Sequence, residues 1–161
     1  MEAYRIADEP RPRGLASCVV YPFWPFLAGM FGGAWLSWPW FILNGVAVGS
    51  PTLVREVALV VVGFIGSAVL ALTVLLALAH EFLNDVTVQY AQLALTVWKL
   101  AICYWLYALQ GRTFSLYEYY GGQVKSGLLP FLIAGVYGKR ELIRYIGMET
   151  PSDALLSLVL F

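Results

Sequence analysis

Residues 57–79 read VALVVVGFIGSAVLALTVLLALA, 23 positions without a charge. Residues 88–110, VQYAQLALTVWKLAICYWLYALQ, are equally long and carry one charge, Lys99. A helix rises about 1.5 Å per residue, so roughly 20 apolar residues span the hydrocarbon of a bilayer. Neither run alternates polar with apolar residues, which a membrane strand requires. Only helices satisfy their own backbone hydrogen bonds inside lipid without closing a barrel. The two runs are separated by a short polar turn containing His80, Glu81, Asn84 and Asp85. They are therefore expected to form an antiparallel transmembrane hairpin.

Composition agrees with this. The 161 residues are 60% hydrophobic and 12% charged, against about 45–50% and 25% in soluble domains. The formal net charge is zero, which leaves no basic footprint for nucleic acid. The fold class expected is all-α, a helical integral membrane protein with a central hairpin and one or two broken, re-entrant or additional membrane helices.

Outside the hairpin the chain divides as follows. Residues 1–16 form a polar tail, and residues 17–161 a single membrane domain. Arg5, Arg11 and Arg13 precede an apolar run, as in a secretory signal. That run contains Pro22 and Pro25 and continues too far for a signal, so it is read as uncleaved. The apolar segment 17–49 carries Trp24, Trp35, Trp38 and Trp40 with Pro22, Pro25 and Pro39. Tryptophan favours the membrane interface, so this does not read as one straight span. Residues 111–126 are polar and aromatic, with Phe114, Tyr117 and Tyr120 at threefold spacing, and suit a helix at the headgroups. Segment 127–137 is apolar but short, which fits a re-entrant or short fourth helix. Short helices are expected over 138–161, one charged around Arg144 and one capped by Asp153.

Lysine and arginine set the orientation. Of ten such residues, only Lys99 lies inside an apolar run, and the 80–87 turn has none. If segment 17–49 enters and leaves on one side, every other cation faces the cytoplasm. That partition favours a re-entrant or broken first segment over a conventional span at 26–48.

The candidate chemistry is sparse. Gln92, Thr96, Lys99, Cys103 and Gln110 recur at helical spacing and form one polar stripe on a greasy helix. A charge at the bilayer centre costs about 2.5–3.5 kcal/mol on insertion scales, so Lys99 is expected to face a partner subunit, this chain's own bundle or a pathway. Small residues at fourfold spacing mark helix-packing faces: Gly29 and Gly33, Gly45 and Gly49, and Gly63, Ser67 and Ala71. They serve either assembly or packing within the chain. His80 is a weak candidate ligand for a haem or chlorophyll, and an interfacial polar residue on the plainer reading. Cys18 and Cys103 read as small hydrophobes. No zinc constellation, phosphate loop or catalytic triad is present, so neither a cofactor nor enzymatic activity is expected.

The run Leu109-Gln110-Gly111-Arg112-Thr113-Phe114, followed by Gly121-Gly122 and Ser126, resembles a pattern in small bacterial multispanning proteins of unassigned function. In both, a glycine-rich apolar stretch (Gly32-Gly33) ending in Asn44 precedes two long helices. The likeness covers about residues 26–135, and it implies a bacterial inner (cytoplasmic) membrane protein. The expected function is an accessory or scaffold subunit of a larger membrane complex, docking through the small-residue faces and the Lys99 stripe. The alternatives are a small oligomeric transporter or channel component with Lys99 on the pathway, and a lipid- or pigment-binding protein. Expected partners are membrane lipids and other subunits, or a second copy of the chain.

Overall fold

A computed structural model describes residues 18–80, 84–134, 144 and 158–160. Its elements are α1 (Phe23–Phe31), α2 (Ala34–Val48), α3 (Leu53–Ala79), α4 (Asp85–Tyr119) and α5 (Leu128–Ile133), with a helical turn at 158–160. The polar tail, Glu81, the charged helix expected around Arg144 and the Asp153 cap lie outside the described residues, Arg144 itself excepted.

The central hairpin is α3 and α4. At 27 and 35 residues they are about 40 and 52 Å long, which exceeds a hydrocarbon layer of about 30 Å. Asn84 caps α4, its Oδ1 accepting from the Thr87 N–H at 2.9 Å. The buried pairs Gln110 with Glu56, Ile102 with Gly63, and Leu95 with Ala71 run in antiparallel register. That register places Lys99 level with Ser67, at the middle of both apolar runs.

The two helices are inverted relative to a soluble core. Glu56, Gly63, Ser67 and Ala71 form the buried face of α3, while Val61, Ile65, Val69, Leu72 and Leu76 point outward. Within the most apolar windows of α3 and α4, only 17% and 28% of residues are buried inside the fold. A core helix of a soluble protein would be mostly enclosed. Apolar surface on this scale needs an apolar surrounding. The chain is an all-α helical membrane protein.

Segment 17–49 is a broken helix pair. Two prolines sit at the start of α1, where their missing N–H groups cost little. Gly33 then adopts φ 98° and ψ −179°, backbone that essentially only glycine occupies, and the chain reverses. The Ser37 hydroxyl donates to the Pro25 carbonyl at 2.7 Å, tying α2 back onto α1. Val20, before α1, meets Asn44, near the end of α2. The segment therefore enters and leaves at one level, with its tip beside the middle of α4. The structure thus breaks the segment into two helices in place of a single span at 26–48.

α2 ends in a glycine cap. Gly49 is left-handed at φ 69°, and the Ser50 N–H reaches the Gly45 carbonyl at 2.9 Å. Gly33 and Gly49, read from the sequence as groove residues, are thus required for their backbone conformations.

α4 runs past the expected end at Gln110 to Tyr119. Gly111 does not stop it, because one helical glycine costs only about 1 kcal/mol. Thr113, Phe114 and Tyr117 continue the buried face beyond it, Phe114 and Tyr117 packing with Val19, Ala47 and Val48. Gly121 at φ 82° then turns the chain. The Lys125 N–H donates to the Val19 carbonyl at 2.9 Å, so α5 begins on the same side as α1. Trp24 and Phe31 of α1 meet Phe131 of α5.

Candidate functional site

Three polar levels succeed one another down the buried face of α4. The first is at the mouth of the re-entrant pair. Gln110 is fully buried, and its Nε2 donates to the Phe41 carbonyl and to Glu56 Oε2, each at 2.7 Å. Glu56 Oε1 accepts from Ser50 Oγ at 2.6 Å and from Thr52 Oγ1 at 2.8 Å. Standing beside Arg55 just before an apolar run, Glu56 would by position alone anchor the helix end at the headgroups. The structure turns the two apart: Arg55 is exposed, and Glu56 is enclosed by hydrogen-bond donors. A buried carboxyl needs such donors, since leaving it unpaired is costly. Asn44 completes this level, bonding both backbone groups of Val20.

The second level joins α4 to the re-entrant tip. Cys103 Sγ lies 3.3 Å from Ser37 Oγ. The serine proton is committed to the Pro25 carbonyl at 2.7 Å, so the thiol is the donor. Gly29 allows this approach: a Cβ there would lie 2.8 Å from Cys103 Sγ.

The third level is Lys99. It is 7% exposed, and its Nζ donates to the Leu158 carbonyl at 3.0 Å. An amine or ammonium can donate several hydrogen bonds, and among the described residues this carbonyl takes one. Lys99 also lines a cavity of about 120 Å³ with Thr96, Cys103 and residues 29–34. The break between α1 and α2 forms the opposite wall. There the first N–H groups of α2 have no helical acceptor, and the dipole of the helix favours negative charge. A buried cation facing such a helix start suits a small anion.

The remaining sequence candidates fall elsewhere. Gln92 and Thr96 are exposed on α4, with Thr96 Oγ1 donating to the Gln92 carbonyl at 3.0 Å. They continue the polar line from Lys99 towards the 80–87 turn. Gly45 lies against the Glu56 carboxyl, and Gly63 against Ile102 and Trp38. Ala71 packs with Leu95 and Val159. Ser67 is buried, and its hydroxyl has no partner among the described residues. These small-residue faces are thus used within the chain. His80 ends α3, exposed, at the opposite end from Glu56.

Sequence reasoning passed over Ser37, Asn44 and Glu56 as site residues. Ser37 and Asn44 stand seven apart in an apolar run, the spacing of one helix face, and that signal was available. Glu56 carried no comparable signal, because a charge next to Arg55 at the end of a span reads as an anchor.

No protein-family model, curated protein or solved structure matches this chain.

Proposed function

We propose that the chain is a component of a membrane pathway for small anions, with Lys99 as its selecting group at mid-depth. The observation that carries this reading is the polar cavity between Lys99 and the break in the re-entrant pair. Irregular backbone at membrane depth is tolerated where it is buried in protein or lines an aqueous cavity. An ionisable residue there is a functional candidate by default. Membrane transporters place broken helices at the midplane for the same reason: the freed backbone groups can bind solute. The polar line extends from Lys99 both ways, through Cys103 and Ser37 to Gln110 and Glu56, and through Thr96 and Gln92. In a bacterium the site of action is the inner membrane.

The test is flux. Full-length protein reconstituted in liposomes should pass chloride or a similar small anion, and Lys99→Met should reduce the rate at least tenfold. The variant should elute from a sizing column as the parent does. Equal flux from both proteins, or none above empty liposomes, would overturn the reading.

A second reading, an accessory subunit of a larger complex, is favoured by one observation. Gln92 and Thr96 are exposed on α4, and polar side chains within a membrane helix gain from a partner's hydrogen bonds. Stoichiometric co-purification of another membrane protein, abolished by Gln92→Leu with Thr96→Val, would support it over the pathway.

A further inference from the structure

The outer side of α2 carries two adjoining cavities that share Leu43. The upper one, about 460 Å³, is lined by Val20, Trp40, Leu43, Asn44, Lys125 and Ser126 among others. Its place in the membrane follows from two bonds already described. Lys125 is tied to Val19, and Asn44 to Val20, so this cavity opens where the re-entrant pair begins and ends, at the membrane surface. The lower groove, about 550 Å³, is lined by Trp35, Trp38, Pro39, Leu43 and Phe64 among others. Every named residue of that wall is apolar. From Leu43 to Trp35 it follows α2 inward for eight residues, about 12 Å of helix.

Both cavities are largely apolar, and the upper one adds polar groups along its edge, the order in which a lipid carries headgroup and chain. The surface cavity presents an exposed lysine, a serine hydroxyl and an indole. Ser126 Oγ accepts from the Leu128 N–H at 3.3 Å, which leaves its own proton to donate. Among the described residues the deeper groove is lined by hydrocarbon and rings, and it opens on the outer face of α2. A lysine at the headgroup level attracts anionic lipid at about 1 kcal/mol per charge. Tryptophan beside it is the usual interfacial contact. Leu43 is 60% exposed and stands between the two.

We propose that this face binds one anionic phospholipid, its phosphate on Lys125 and Ser126 and an acyl chain along the groove past Leu43 and Pro39. Charge complementarity selects the occupant: a second copy of the chain would have to bring an acid to Lys125 and an apolar ridge to the groove together, while one phospholipid carries both. The inference is independent of the Lys99 cavity.

The experiment uses the full chain, delipidated in mild detergent and titrated with dioleoyl phosphatidylglycerol or dioleoyl phosphatidylcholine, with bound lipid counted by native mass spectrometry. One phosphatidylglycerol should bind per chain, at least fivefold tighter than phosphatidylcholine. Lys125→Gln should erase that preference. Leu43→Trp, which puts bulk on an exposed position at the junction, should weaken both lipids at least fivefold. Equal binding of the two lipids by the parent protein, or unchanged binding by Lys125→Gln, would overturn the proposal. So would a lipid-free dimer whose formation Leu43→Trp abolishes, since a second copy would then occupy the face.

Discussion

Asn44 closes the mouth of the re-entrant pair by bonding both backbone groups of one residue, Val20. Its Oδ1 accepts from the Val20 N–H at 3.0 Å, and its Nδ2 donates to the Val20 carbonyl at 2.7 Å. The contact spans 24 positions of sequence and holds the chain's way in beside its way out. Replacing Asn44 with Leu leaves a buried donor and acceptor unpaired, at about 1–3 kcal/mol for each group. Thermal unfolding in mild detergent, followed by tryptophan fluorescence, should show a clear loss of stability. Unfolding at the parent temperature would mean that the mouth is held by other contacts.

The same closure fixes sidedness. In a background lacking Cys18 and Cys103, single cysteines at Tyr21, Pro51 and Gln123 should react with an impermeant maleimide from one side of the membrane. A cysteine at Asn84 should react from the other. Arg55, Arg112 and Lys125 lie on the first side, which the charge rule assigns to the cytoplasm. Labelling of Tyr21 and Pro51 from opposite sides would rule out a re-entrant pair.

Glu56 and Gln110 form the polar contact with the most to lose. Glu56→Ala removes the acceptor of Ser50, Thr52 and Gln110 at once. A buried donor left without its acceptor costs about 1–3 kcal/mol, so this variant should be strongly destabilised. The cycle Glu56→Ala, Gln110→Ala and the double variant should return a coupling of about 0.5–3 kcal/mol. Additive effects would place the two side chains in separate networks.

Two glycines should respond oppositely to alanine. Gly33 at φ 98° lies where an added Cβ is strained by about 1–3 kcal/mol, and Gly33→Ala should destabilise the fold. Gly111 is inside α4, and a Cβ there meets nothing within 4 Å. Gly111→Ala should stabilise by about 0.5–1 kcal/mol. Paired melting curves decide both, and matching shifts would contradict the assigned break between α1 and α2.

Much of this was readable beforehand. The uncharged stretch 57–79 and its partner 88–110 state their solvent by composition, because burial in hydrocarbon depends on the sum of local apolarity and on length. The prolines and tryptophans of 17–49 signalled a departure from one straight span, and cation placement favoured the re-entrant form. The extent of α4 was not readable. Gly111 and Arg112 look like a terminus until Phe114 and Tyr117 are seen packed on Val19 and Val48.

The sequence by itself determined that α3 and α4 are membrane helices, that Lys99 sits at their middle and that the first segment is not one straight span. Tertiary structure alone decided which polar groups meet: Asn44 with Val20, Ser37 with Cys103, Glu56 with Gln110, Lys99 with Leu158. The physical reason is range. Hydrophobicity and helix breaking act over a few neighbouring residues, whereas a buried hydrogen bond needs a partner that only the packing of distant helices brings within 3 Å or so.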